Sequence, residues 1–173
     1  MKKVGVMLAM LTVFFSASVI EAKEGFYLGA SMMFNDIGGN INAGNAIASG
    51  NGAGIKGGFG FNRYVAVETS YWRTNHDVEG STSIYLKGFT ADVKVTVPVT
   101  GSHIEPYFIA GAGNYLLESL RGSGWNFGVG MDIYLTPALN FTAGWIKRSI
   151  QFGAAPMVTA EVDSMDIGLV YHF

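Results

Sequence analysis

The sequence contains no cysteine, which removes disulfides, thiolate nucleophiles and thiolate metal sites together. Charge is also scarce. Asp, Glu, Lys and Arg make up 14% of the chain, against about a quarter in a soluble domain, so a water-facing surface of this size is not provided for. Nor is there a cationic excess: 11 basic against 13 acidic residues give a net charge of -2, and a nucleic-acid partner is not expected. Beyond the amino terminus no segment holds the roughly 18 consecutive apolar residues of a membrane-spanning helix. What remains is a chain of 173 residues with 24 glycines, sized for one domain, that can enter a membrane only as strands.

The amino terminus reads as a targeting segment. Lys2 and Lys3 form a positive start, Val4 to Phe15 an apolar stretch, and Ile20-Glu21-Ala22 a cleavage site with Ala22 last. Ser16, Ser18 and Glu21 interrupt the run too early for a spanning helix of about 20 residues. Residues 1–22 are therefore expected to be a signal peptide and 23–173 the mature domain. Taking Lys2, Lys3 and Glu21 away leaves 9 basic and 12 acidic residues, a mildly acidic mature chain.

Period-2 alternation, the mark of a strand whose faces meet different media, recurs along that chain. The first strand sets Phe26, Leu28, Ala30, Met32 and Phe34 against Tyr27, Gly29, Ser31 and Met33, and the second sets Ala53, Ile55, Phe59 and Phe61 against Gly54, Lys56, Gly58 and Gly60. The third places Val65, Val67, Thr69 and Tyr71 opposite Ala66, Glu68, Ser70 and Trp72; the fourth, Phe89 to Val97 opposite Gly88, Thr90, Asp92, Lys94 and Thr96. The fifth, Glu105 to Leu117, is apolar in both phases and leaves its faces open. The sixth runs Trp125 to Leu135 against Asn126, Gly128, Gly130, Asp132 and Tyr134, the seventh Leu139, Phe141, Ala143 and Trp145 against Asn140, Thr142, Gly144 and Arg148. The last has Met165, Ile167, Leu169, Tyr171 and Phe173 opposite Ser164, Asp166, Gly168 and His172. Eight strands with both termini on one side predict an all-β, antiparallel up-and-down transmembrane barrel. Long connections are expected at Asn35–Asn51, Arg73–Ser83 and Gln151–Ala160, tight turns at Asn62-Arg63 and Thr136-Pro137-Ala138, and further connections at Pro98–His103 and Leu120–Gly124.

A soluble eight-stranded barrel would alternate too, and composition decides between them. The less apolar lane holds mostly Gly, Ser, Thr and Asn rather than Lys, Glu and Arg, which fits the crowded lumen of a narrow barrel and not a wet exterior. The apolar lanes then face lipid. Phe34, Tyr71, Trp125 and Trp145 fall near one rim and Phe26, Phe61, Tyr171 and Phe173 near the other, two aromatic belts flanking an apolar band near 25 Å tall. The inward charges would be Lys56, Glu68, Asp92, Lys94, Asp132, Arg148 and Asp166. Three cations and four anions in a poorly solvated lumen are expected to pair, as a structural network and not an ion path.

The chain ends Met165-Asp166-Ile167-Gly168-Leu169-Val170-Tyr171-His172-Phe173, which resembles the carboxy-terminal signature of bacterial outer-membrane barrels: a terminal Phe, an aromatic two residues before it, and alternating hydrophobics upstream. With Gly25-Phe26-Tyr27-Leu28-Gly29-Ala30 and Pro106-Tyr107-Phe108-Ile109-Ala110-Gly111-Ala112-Gly113, the whole mature chain resembles the small eight-stranded family of the OmpA membrane domain, OmpX-like proteins and opacity surface antigens. The resemblance implies insertion by the outer-membrane assembly machinery, which in the family reads the final strand, here Met165, Ile167, Leu169, Tyr171 and Phe173. It implies outer-membrane lipids and lipopolysaccharide as surroundings. It leaves the role open, since members serve as structural proteins, adhesins, serum-resistance factors or narrow pores.

Other motifs carry less. Gly52-Ala53-Gly54-Ile55-Lys56-Gly57 has the spacing of a dinucleotide fingerprint without the flanking strand and helix, and Asn140-Phe141-Thr142 matches a glycosylation acceptor inside a strand. His76 is expected in an outer loop beside Asp77 and Glu79, at most a loose divalent-ion site, with His103 in an inner turn and His172 at the inner end of the last strand. The three do not converge on a nucleophile. No cofactor or catalytic residue is expected; the reading is a non-enzymatic outer-membrane barrel whose exposed loops make surface interactions, with a narrow channel or a lipid-modifying enzyme as alternatives.

Overall fold

The structure is a computed structural model that describes residues 24–39, 47–78, 83–153 and 158–173. The expected signal segment lies outside them. Eight strands follow in chain order: β1 (Gly25–Gly39), β2 (Ile47–Gly60), β3 (Val65–Val78), β4 (Ile84–Thr96), β5 (Ile104–Leu117), β6 (Leu120–Thr136), β7 (Leu139–Phe152) and β8 (Val158–His172). Each pairs antiparallel with its sequence neighbours, and β1 closes the barrel on β8 through Leu28 opposite Tyr171 and Phe34 opposite Met165. Closure leaves no sheet edge to solvate, which is what allows a strand protein to sit in hydrocarbon.

The two lanes face as their composition dictates. Phe26, Leu28, Met32, Ile55, Phe89, Phe108 and Leu169 stand on the outer wall, Phe26 and Ile55 being 68% and 64% exposed, while Tyr27, Lys56, Glu68, Asp92 and Asp132 are buried within. The fifth strand is settled by register. Tyr107 lies opposite Gly130 and Ile109 opposite Gly128, both lumen positions of β6, so Tyr107, Ile109 and Tyr115 point inward and Phe108, Ala110 and Ala112 outward.

Large inward rings are seated on cross-strand glycines. Tyr27 lies opposite Gly58, Trp72 opposite Gly88, and Tyr107 opposite Gly130. A methyl group added at any of these glycines would run into the facing ring. The glycine-rich lane is therefore the complement of the aromatic side chains that fill the barrel.

Strand ends depart from expectation. β1 continues to Gly39, β3 to Val78, β8 begins at Val158, and Leu120–Gly124, expected as a connection, belongs to β6, paired with β5 throughout and with β7 from Gly122. The turn lies instead at Glu118-Ser119, with Glu118 at φ 53°. The physical reason is an inversion of polarity along each strand. Below the upper aromatic belt the outside is apolar and the inside polar; above it the outside carries Asp36, Arg73, Asn75, Asp77, Lys87, Asn114, Arg121 and Gln151, and the inside holds a dry cluster of Met33, Trp72, Leu86, Tyr115, Ile150, Phe152, Ala160 and Val162. These upper thirds look like polar loops only because their apolar residues have changed faces. His76 is corrected with them: it lies on β3 and is fully buried in the lumen, whereas Asp77, its neighbour, faces out. Successive strand residues point to opposite sides of the wall, so the two cannot share an ion; Glu79 lies outside the described residues.

The opposite end is closed by short turns whose side chains satisfy the backbone. Asn62 Oδ1 accepts from the amides of Tyr64 (2.8 Å) and Val65 (2.9 Å), and Thr136 Oγ1 from Leu139 (3.0 Å), local bonds that fix tight turns. Replacing Gly130 by Val is expected to unseat Tyr107 and lower stability by about 1–3 kcal/mol, read as a lower urea midpoint of the lipid-embedded barrel; an unchanged midpoint contradicts the seating.

Candidate functional site in the barrel interior

The lumen is layered. At the inner end His172 Nε2 lies 3.0 Å from Asn140 Oδ1, its ring between those of Tyr27 and Tyr134 at centroid distances of 5.3 and 6.0 Å. Above it Lys94 Nζ donates to Asp132 Oδ2 at 2.6 Å and sits 4.2 Å from the centre of the Tyr107 ring. Lys56 Nζ bridges Glu68 at 3.8 Å and Asp166 at 3.6 Å, and the Tyr27 hydroxyl donates to Glu68 Oε2 at 3.2 Å. These groups come from alternate positions on all eight strands, and barrel closure brings them together.

The next layer uses neutral partners. Asp92 accepts from Thr90 Oγ1 and Asn126 Nδ2, each at 2.7 Å. Arg148, 2% exposed, donates to Ser164 Oγ and lies 4.7 Å over the Trp72 ring, where the polar lumen meets the apolar cluster. Of the seven expected charges, five therefore form two ion-pair groups, while Asp92 and Arg148 are held by hydroxyl, amide and aromatic groups. Level with the cluster, Asn35 donates to Thr74 (3.1 Å), whose hydroxyl lies 3.0 Å from His76 Nε2.

One inward charge escapes the sequence reading. Glu105 is 1% exposed at the start of β5, and with it the buried set among the described residues becomes five carboxylates against Lys56, Lys94 and Arg148. Two apolar phases hid the facing of β5; the register opposite Asp132 reveals it.

Space within is minimal. The cavity among Lys56, Glu68, Asp92, Arg148 and Asp166 measures about 10 Å³, and one near Lys94, Asp132 and His172 about 30 Å³. A single water needs about 10–15 Å³, so each is a void of one or two waters. The four upper aromatics stand half exposed on the outer wall: Phe34, Tyr71, Trp125 and Trp145, with Trp125 stacked on Phe127 at 5.6 Å. Met165, Ile167, Leu169, Tyr171 and Phe173 share the outer face of the closing strand, and the Phe173 amide donates to Phe26 O at 3.0 Å.

Breaking a buried pair leaves one charge unmatched in a low-dielectric interior. Asp132→Asn is expected to destabilise the barrel by about 3–5 kcal/mol, and Lys94→Met added to it to recover part of that loss, as read by chemical unfolding in lipid vesicles. Additive losses would show that the two residues do not act as a pair.

Neisserial surface protein A superposes with a TM-score of 0.74 at 18% identity, over 86% of this chain and 97% of that one. OprG from Pseudomonas aeruginosa gives 0.60 at 16% identity over 90% and 100%, and Ail, the attachment invasion locus protein of Yersinia pestis, 0.58 at 16% over 87% and 100%. At such identities the likeness concerns the fold. No curated relative matches the sequence. The family sequence model of the outer membrane protein beta-barrel domain matches residues 6–173, and the chain, an eight-stranded barrel of the bacterial outer membrane, belongs to that family.

Proposed function

We propose that the protein works from its outer surface, as a non-enzymatic, non-conducting barrel that carries strand ends and connections above the membrane for surface interactions. The observation that carries this reading is the filled lumen of the described residues: ion pairs below, the apolar Trp72–Tyr115–Ile150–Val162 cluster above, and water-sized voids among the charges. A pore needs a continuous polar path, and a hydrolase of the membrane face needs a nucleophile and base on the outer wall. Instead, His76 and His172 are sealed inside. What does reach the exterior is the polar outer face of β1 to β8 above the belt, a rigid rim on which connections are mounted. The surface protein of Neisseria and the attachment invasion locus protein of Yersinia pestis are named for roles at that same boundary.

In this reading the inward charges Lys56, Glu68, Asp92, Lys94, Asp132, Arg148 and Asp166 are structural, Phe34, Tyr71, Trp125 and Trp145 anchor the outer interface, and the exposed lane Met165 to Phe173 is the part read by the assembly machinery. Export proceeds through removal of residues 1–22.

Two experiments test the proposal. In planar bilayers the purified barrel is expected to give no unitary conductance above background; stepwise currents would overturn the closed-lumen reading. In fractionated cells Phe173→Ala is expected to reduce the amount in the outer membrane several-fold while periplasmic export continues, and the mature chain to begin at Lys23. Equal insertion of the variant would remove the assembly role from the terminal residue.

A further inference from the structure

The polar rim above the belt is electrically divided. On one side Arg73 of β3 lies opposite Lys87 of β4, Lys87 opposite Leu116 of β5, and Leu116 opposite Arg121 of β6. All four face outward, so three cations stand in a row across three strand spacings, about 14 Å in all. On the other side Asp36 of β1 lies opposite Asp163 of β8, which lies opposite Lys147 of β7, itself paired with Glu161 at 2.8 Å. The basic row has no such compensation: no carboxylate among the described residues forms an ion pair with Arg73, Lys87 or Arg121. The nearby acids on that side are Asp77, further up β3 and bonded to Ser83, and Glu118 in the turn above.

The row is also pre-organised. The Arg73 guanidinium and the Lys87 ammonium both rest on the Tyr85 ring, at 4.9 and 4.8 Å from its centre, and the Tyr85 hydroxyl is tied to Glu118 O at 3.4 Å. Two cations on one ring are held close without an anion between them. Immediately below, the wall is recessed. Two adjoining grooves of about 490 and 510 Å³ share Phe89 and Asn114. The upper reaches Lys87 and Arg121; the lower runs down over Ala91, Ala112 and Gly124 beside Trp125.

Resting on the outer-membrane reading above, we infer that this face of β3 to β6 is a binding site for a phosphorylated lipid of the outer leaflet, its phosphate on Arg73, Lys87 and Arg121 and one acyl chain in the groove between Phe89 and Trp125. Charge complementarity and depth select this occupant. The cations lie one or two inward–outward repeats above Tyr71, Phe89 and Trp125, at the level where headgroup phosphates meet a barrel whose belt marks the interface. Arginine supplies a planar fork for phosphate oxygens and lysine a point charge, while the small residues Ala91, Ala112 and Gly124 beneath leave the wall recessed. The acidic side over β1 and β8 has the same belt beneath it and should repel the same headgroup.

The test uses the mature barrel in zwitterionic micelles, its folding checked by heat-dependent gel mobility, and diphosphoryl lipid A as the probe. Titration of labelled protein is expected to show at least tenfold tighter binding than to the same lipid stripped of phosphate. The triple variant R73Q/K87Q/R121Q is expected to lose that preference, and D36N/D163N to keep it. Ala112→Phe, which fills the groove, is expected to weaken lipid binding while the three cations stay in place. Should the triple variant fail to fold, the unmodified barrel still decides the matter, since its phosphate preference must fall steeply between low and about 0.5 M salt. Equal affinity for both lipid forms overturns the inference, as does a salt-independent preference. Full displacement by millimolar inorganic phosphate overturns it in favour of a free-anion site, and self-association lost in both charge variants overturns it in favour of a second copy joined through its acidic rim. None of these outcomes bears on conductance, so this site and the closed-lumen reading fail separately.

Discussion

Everything in this molecule depends on what bathes the outside of the wall. Over the lower part of each strand it is hydrocarbon, which gains nothing from burying apolar side chains inside the barrel, so the greasy lane turns outward and the lumen can be polar. Above the belt it is water, and the ordinary logic of a soluble protein returns: Arg73, Asp77 and Gln151 face out while Trp72, Leu86, Ile150 and Phe152 pack inside. One continuous set of eight strands carries both solutions because period-2 geometry is indifferent to which face is apolar.

That inversion shapes the interior. Where hydrophobic burial cannot drive packing, Lys56 is set between Glu68 and Asp166 and Lys94 is hydrogen-bonded to Asp132, since a buried charge is tolerable only beside an opposite one. Where burial does operate, the apolar cluster caps those pairs. Arg148 stands at the boundary, its guanidinium on the Trp72 ring and bonded to Ser164, and so couples the two regimes. The aromatic rings laid on Gly58, Gly88 and Gly130 make the narrow barrel solid.

A solid barrel moves function to its periphery. The rim is firm because it is paired strand and not loop, and it is polarised into the Arg73–Lys87–Arg121 side and the Asp36–Asp163–Glu161 side. Such a rim sets a basic face against an acidic one around a single barrel. The membrane face and the exposed face are thus two surfaces of the same strands.

Much of the fold was legible in the chain itself. The alternation in Phe26–Phe34, Val65–Trp72 and Met165–Phe173, the glycine-rich inner lane and the terminal aromatic pattern determined strand number, closure, outward facing and membrane class, because each is a local consequence of two unlike media on either side of one strand. Six of the inward charges lie in regularly alternating stretches of β2, β3, β4, β6 and β8, and Arg148 keeps the inward phase just beyond that of β7. Three things waited for the tertiary structure. The facing of β5, and with it buried Glu105, needed its register against β6; the upper strand ends, and with them buried His76, needed knowledge of where water replaces lipid; and the pairing of Lys56 with Glu68 and Asp166 rather than with any other acid needed closure of β1 on β8. In each case the deciding quantity is the position of a residue relative to a neighbour or a solvent boundary remote in sequence, which local patterning does not contain.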